Sequence, residues 1–329
     1  MNENEAFTRL LLIGGEGQIG SALARLLPQM FPQATLTVTT QDRVDLTRPQ
    51  TFVKIIREQA PDLIINAAAY TAVDRAEQEP ELAQKINGVA PGIIAEEAKR
   101  CGALMIHYST DYVFDGHKRT PYIEGDAPHP RNEYGLSKRA GEIAVQQAGA
   151  RALILRTSWV YGLSGHNFLL TMRRLANERD TLRVVDDQIG APNDSEALAT
   201  ATIQLIAQGK ARLYERAGLY HLSATGQTSW FGFAQAIFEA DSFSTVRAEP
   251  VEAPDDATLA LRQAQGEREK STSPKRTHLI PITTAEYPLP ARRPAYGVLS
   301  SERLRQTFGV SLPSWQEVLQ ACLARGRKS

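Results

Sequence analysis

Leu10-Leu11-Leu12-Ile13 is an unbroken apolar run stopped by Gly14-Gly15, the pattern of a strand buried on both faces. The chain then repeats the figure. Helically spaced apolar positions follow in GSALARLLPQMF, then a second short strand at residues 35–39, an amphipathic helix in TRPQTFVKIIREQAP and a third strand at residues 62–66. PELAQKINGVAPGIIAEEAKRCG reads as one long helix ended by Gly102, residues 103–109 as a fourth strand, and residues 151–156, after a helix around Tyr134, as a fifth. Strands alternating with helices over about 150 residues predict an α/β fold, a doubly wound parallel sheet of the Rossmann kind. Ligands of such sheets bind beyond the C-terminal ends of the strands, so the chemistry is sought there.

After Arg156 the alternation loosens. A short strand is predicted at residues 182–185, a helix near 194–207, a strand at 219–223 and a helix at 230–240. The predicted organisation is a dinucleotide-binding domain over 7–157 with returns near 188–225, and a smaller interleaved substrate-binding lobe from 158–187 and 226–329. Residues 242–274 are polar and charged with no sustained apolar period, and read as a disordered surface insertion.

Composition narrows the classes. Lys plus Arg and Asp plus Glu both number 37, which removes the electrostatic footprint of a nucleic-acid binder or a protein attached to an anionic membrane. No apolar run approaches the roughly 20 residues that span a bilayer, and MNENEAF is acidic where a secretory signal is basic. Cys101 and Cys322 are too few for a disulfide framework and lack metal-ligand spacing. A cytoplasmic protein with two free thiols and no metal centre is expected.

Gly14, Gly17 and Gly20 stand at G-x-x-G-x-x-G spacing between a strand and a helix. Such a turn lets backbone N–H groups and the helix N-terminus approach a pyrophosphate. An acid at the end of the second strand would favour NAD. The sequence there is Thr39-Thr40-Gln41-Asp42-Arg43, whose hydroxyls, amide and arginine suit the 2′-phosphate of NADP. NADPH is therefore expected, with NADH the alternative.

Tyr134 and Lys138, in YGLSK, lie four residues apart and share one helix face. Thr110 ends the fourth strand and supplies a hydroxyl. Hydride reduction of a ketone leaves negative charge on oxygen, which must take a proton. A phenol with a pKa near 10 gives one up reluctantly near neutrality, and a neighbouring ammonium stabilises the phenolate. Thr110 would hold the carbonyl oxygen, and Lys138 also reaches the nicotinamide ribose.

The set INAAAYTAVDRAE, HYSTDYVFDG, YGLSK and RTSWVYG resembles the extended short-chain dehydrogenase/reductase family and, more narrowly, the dTDP-4-dehydrorhamnose reductases within it. The likeness continues through NFLLTMRRLA, VVDDQIGAPN, GLYHLSATGQTSW and YPLPARRP. It implies NAD(P)H-dependent reduction of a dTDP-4-dehydro-sugar for cell-surface polysaccharide, with Thr110, Tyr134 and Lys138 as the catalytic trio. It also implies that Gly14, Gly17, Gln18 and Ile19 hold the pyrophosphate, that Asp45 and Leu46 border the adenosine, and that Ala67, Ala68 and Ala69 run along the cofactor. Thr71, Val73, Asp111, Tyr112 and Trp159 would shape the sugar pocket, and Asn167 and Arg293 would meet the nucleotide part of the substrate.

The sequence departs from that family twice. Some members form a homodimer bridged by Mg²⁺ through glutamates, one of them on the first helix; Ala22 stands there, although Glu196 is kept. After ARRP the chain reads Tyr296-Gly297 where a small polar pair is usual. Two other functions compete. A nucleotide-sugar dehydratase or epimerase shares the motifs, but Tyr112 follows Asp111 where a dehydratase carries the glutamate that works as its base. A dinucleotide-binding regulatory subunit, like the beta subunit of methionine adenosyltransferase, would bind cofactor without turnover.

Overall fold

The computed structural model describes residues 6–242 and 277–327. Its centre is a six-stranded parallel sheet of β1 (Arg9–Ile13), β2 (Thr35–Thr39), β3 (Leu63–Asn66), β4 (Leu104–Thr110), β5 (Ala152–Thr157) and the strand Gly218–His221. The order across it is Gly218–His221, β5, β4, β3, β1, β2. β4 and β5 are buried at every position, which explains their continuous apolar runs. Their alternate residues feed two different cores. Leu10, Leu12, Ile65, Ile106 and Leu155 pack with α1 (Gln18–Met30) and the helix Ser195–Ile206. Leu11, Ile13, Ile64, Met105 and Ile154 pack on the other side with α2 (Pro49–Gln59) and the helix Ala90–Cys101. Each such leucine or isoleucine contributes about 1.5–3 kcal/mol by leaving water.

From β1 the chain winds outward to β2 and then returns past β1 to build β3, β4 and β5 on the other side. The reversal opens a crevice above the C-terminal ends of β1 and β3. The glycine turn lies after β1, Ala67–Ala69 after β3, and Thr110 at the end of β4.

The long helix predicted after Pro80 is divided. Pro80–Ala83 is α-helical, Gln84–Val89 forms a π-helical segment and Ala90–Cys101 resumes the α-helix. Pro91 is the physical reason, because it has no N–H to donate and its ring would collide with the carbonyl four residues back, that of Asn87. The freed carbonyl faces Gly141, where an added Cβ would lie 2.1 Å from it. Asn87 is buried and its amide brackets the Tyr70 backbone, accepting from N at 2.8 Å and donating to O at 2.9 Å. It also donates to Ser137 Oγ at 3.0 Å. The widened turn thus ties the loop after β3 to the helix Glu133–Ala148 that carries Tyr134 and Lys138.

In the second half the predicted short strand extends over Thr181–Val185 and pairs with His278–Ile282. Gly218–His221 joins the main sheet beside β5. Helices Phe168–Glu178, Trp230–Ser242 and Trp315–Gly326 pack nearby. Apart from Ser242, the segment 242–274 lies outside the described residues. Among the described residues no helix is long and apolar enough to cross a membrane.

Candidate active site

Gly14 has φ +86°, and an added Cβ would lie 2.6 Å from the backbone N of Ala68. A Cβ on Gly20 would fall 1.9 Å from the Gly14 carbonyl oxygen. These two glycines therefore serve the turn and the seating of α1 against it. Gly17 differs, since it is exposed and the nearest protein atom to its Cβ would be 3.5 Å away. Its open side, at the N-terminus of α1, fits a pyrophosphate. Gln18 and Ile19 are half-buried beside it. Asp45 holds Thr47 through its backbone N and hydroxyl, at 2.8 and 2.6 Å, and Leu46 is packed in the core. Their side chains are thus committed within the protein. Ala67, Ala68 and Ala69 are half-buried along the crevice. Arg43 is exposed next to Asp42, which accepts from the Thr40 hydroxyl, and Glu16 accepts from Gln41 N at 3.1 Å.

The helix bearing Tyr134 starts at Asn132, whose side chain accepts from Gly135 N at 2.7 Å. Gly135 lets the helix meet the turn after β4, for a Cβ there would lie 2.3 Å from the Tyr112 carbonyl oxygen. Tyr134 stands edge-on to Tyr112 with ring centroids 5.5 Å apart. Burial pushes the Tyr134 phenol up to about 12, the Thr110 hydroxyl beside it opposes this, and the Asp111 charge adds to it. Lys138 is buried and its Nζ donates to the Tyr108 carbonyl at 2.7 Å. Burial pulls its ammonium down to about 8, against the opposing charge of Glu142. The structure thus gathers Thr110, Tyr134 and Lys138 at one strand end.

Thr110 Oγ1 donates to Asp111 Oδ1 at 3.1 Å and accepts from Tyr112 N at 3.2 Å. Asp111 is buried, with Oδ2 unpartnered, and burial lifts its carboxyl to about 7. The cover is Gly297, where a Cβ would sit 2.4 Å from that Oδ2. Tyr296-Gly297 therefore closes over the site floor, where a larger residue has no room. Arg293 is half-buried in a bidentate pair with Asp74, at 3.0 and 2.7 Å, while Arg292 is exposed. Thr71 is exposed in the loop after β3, and Val73 is half-buried at the start of the short helix Val73–Ala76 that follows it. Trp159 has a left-handed backbone, φ +44°, and stacks on Trp230 at 3.6 Å. A tryptophan held there stores strain, which functional sites commonly do. Asn167 caps Phe168–Glu178, donates to the Gly162 and Ser164 carbonyls and reaches Gln18 Oε1 at 3.3 Å. It thereby fastens the loop over the glycine turn.

A sequence profile for the RmlD substrate binding domain matches residues 8–328. The dTDP-4-dehydrorhamnose reductase of Burkholderia thailandensis is 43% identical over 96% of this chain and 98% of its own. That of Escherichia coli K12 is 42% identical over 93% and 94%. The chain belongs to the dTDP-4-dehydrorhamnose reductase family. A solved reductase of that name from Bacillus anthracis, in complex with NADP, is 32% identical, superimposes with a TM-score of 0.82 and covers 97% of this chain and 99% of that one.

Within this family the metal-bridged arrangement does not suit the residues present. Ala22 is buried on α1 and offers no ligand. Glu196 is clasped by Arg25 and lies 3.3 Å from Arg325 Nε, so guanidinium groups take its carboxylate. Among the described residues no cluster of three or more His, Cys, Asp or Glu is placed to hold a metal. Trp230, the stacking partner of Trp159, is invisible to sequence patterning because it lies 71 residues away in a helix of ordinary apolar pattern. Glu142 belongs to no recognised motif, although its spacing of four from Lys138 on the same helix is a visible signal.

Proposed function

We propose that the protein reduces the 4-keto group of dTDP-4-dehydro-L-rhamnose to give dTDP-L-rhamnose, with NADPH as the preferred hydride donor and NADH the alternative. The convergence of Thr110, Tyr134 and Lys138 at the end of β4, in a member of this family, carries the reading. The nicotinamide, when bound, supplies the hydride. Gly17 and the N-terminus of α1 would hold the pyrophosphate, with Gly14 shaping the turn and Ala67–Ala69 beneath the rest of the cofactor. Thr110 donates a hydrogen bond to the substrate carbonyl oxygen and fixes its position. Tyr134, whose buried phenol retains its proton at neutral pH, gives that proton to the oxygen as charge develops there. Lys138 stabilises the phenolate left behind. Asp111, Tyr112 and Trp159 border the hexose, and Arg293 faces the nucleotide end. The cytoplasm, where nucleotide sugars and reduced cofactor occur together, is the proposed location.

The test is oxidation of NADPH and of NADH by the purified protein, with dTDP-4-dehydro-L-rhamnose made in situ and Tyr134→Phe alongside. Turnover lost in the variant supports the reading. Tight cofactor binding without turnover in the wild type refutes it and leaves a regulatory subunit.

A further inference from the structure

Behind the trio lies a buried ionic layer that the proposed chemistry does not use. Glu142 has no exposed side-chain surface and sits one helical turn after Lys138. Its carboxylate accepts from Ser109 Oγ at 2.6 Å, from Arg156 Nε and Nη2 at 2.7 Å each, and from Arg139 Nη1 at 2.8 Å. Ser109 on β4 pairs in register with Arg156 on β5, and Arg156 with His221 on the next strand. Three neighbouring strands thus present polar side chains at one level, and a single carboxylate on the Tyr134 helix gathers the first two. Arg156 is itself buried, lies 4.9 Å over the Phe114 ring and approaches His221 Nε2 at 3.5 Å.

Lys138 and Glu142 grip consecutive residues of β4, the Tyr108 carbonyl and the Ser109 hydroxyl. Thr110 is the next residue along. The position of the helix on the strand is therefore fixed within one residue of the hydroxyl that must meet Tyr134. The polar and titratable groups on the elements packed around Lys138 are Tyr134, Arg139 and Glu142 on its own helix, His107 and Ser109 on β4, Arg156 on β5, and Asp111 on the turn after β4. The π-helical segment adds the neutral Asn87. Burial and the neighbouring Lys138 hold His107 far below its ordinary value, so it adds no charge.

We propose that Glu142 is a positioning residue for the reduction: through Ser109 and Arg156 it keeps Tyr134 and Lys138 in register with Thr110, and its carboxylate is the counter-charge that keeps Lys138 an ammonium. This rests on the reductase reading given above. The direction follows from the buried surroundings, which favour the uncharged amine while Glu142 opposes them. Removing the negative charge therefore moves Lys138 titration to lower pH, and removing the Arg139 cation moves it upward.

The experiment compares wild type, Glu142→Gln, Glu142→Asp and Arg139→Gln. Steady-state rates with NADPH and dTDP-4-dehydro-L-rhamnose are measured across pH, and the Lys138 Cε resonance is titrated by NMR without substrate. Glu142→Gln is expected to lower kcat about 10²-fold, the scale of a misplaced catalytic group, and to shift the alkaline limb and the Lys138 titration to lower pH. Glu142→Asp keeps the charge but shortens the reach, so it restores the limb while kcat stays reduced. Arg139→Gln, at a partly exposed residue, shifts the limb upward. Should Glu142→Gln fail to fold, Glu142→Asp and Arg139→Gln decide the matter. A pH-independent loss with the limb and the Lys138 titration unmoved signifies damage to the fold alone and overturns the proposal. A wild type that turns over no substrate sinks the reductase reading only, because the Lys138 titration is read without turnover.

Discussion

Two glycines of one turn should fail in opposite ways when each becomes alanine. At Gly20 the new Cβ would lie 1.9 Å from the Gly14 carbonyl oxygen and 2.8 Å from its carbon. Both are backbone atoms, so the helix must move away from the turn. Overpacking of this kind costs about 1–3 kcal/mol, and the gain of up to about 1 kcal/mol from alanine inside a helix offsets only part. At Gly17 the Cβ meets nothing closer than 3.5 Å, and φ −68°, ψ 165° is open to any residue. Alanine is a poorer N-cap than glycine, which costs about 0.5–1 kcal/mol. At roughly 2–4 °C per kcal/mol, Gly17→Ala should lower the melting temperature by about 1–4 °C, and Gly20→Ala by more. Cofactor affinity should behave otherwise. The methyl at Gly17 occupies the side on which backbone N–H groups meet the pyrophosphate, so NADPH Kd should rise about tenfold for each 1.4 kcal/mol by which binding weakens. Calorimetric melting and NADPH titration by fluorescence measure the pair. Wild-type NADPH affinity in Gly17→Ala, or equal melting losses in the two variants, would refute the assignment of Gly17 to ligand and Gly20 to packing.

Tyr134→Phe should reduce kcat by about 10²–10⁴-fold, the span of general acid catalysis, while NADPH still binds; a kcat near wild type removes Tyr134 from the proton path. The Asp111 carboxyl is raised from 3.8 to about 7, so it is neutral in the native state where the unfolded chain is ionised. Stability falls as pH rises from about 4 to about 7, by on the order of 4 kcal/mol, and melting of Asp111→Asn should lack that decline. Glu142 is shifted the other way: burial, which acts to raise its carboxyl, is outweighed by Arg156, Ser109 and Arg139, leaving it below 4.5. Its contribution is complete above 4.5 and is lost as pH falls through the native value, so the gap in melting temperature between wild type and Glu142→Gln should narrow under acid from its size at about pH 6. Glu196 is held by Arg25 and Arg325, so excess EDTA should leave the melting temperature and the sedimentation profile unchanged; a drop that Mg²⁺ restores contradicts this.

The sheet was readable because its strands are buried on both faces, so Leu104–Ile106 and Leu153–Leu155 show unbroken apolar runs. The glycine turn and the shared helix face of Tyr134 and Lys138 were readable because turn and helix geometry follow from short sequence separations. The π-helical turn was not, since Pro91 inside a helical pattern signals a break without saying how the chain absorbs it. The Trp159–Trp230 stack depends on pairing across the chain, which periodicity does not report. Asn167 shows a subtler limit. It stands in the motif expected to meet the nucleotide, yet its amide is spent on Gly162, Ser164 and Gln18, and only the folded chain reveals such prior commitments.

Three tryptophans make up the indole content of the protein, and two of them lie face to face, 3.6 Å apart and within 8° of parallel. Chromophores that close share their excited states, so their near-ultraviolet circular dichroism should carry a paired signal of opposite signs. Trp315 is buried in the core, edge-on to Phe233, and is not part of the stacked pair. A ligand that tilts Trp159 out of its left-handed backbone would separate the two transitions, and the chain would report occupancy of the proposed sugar pocket without any added dye.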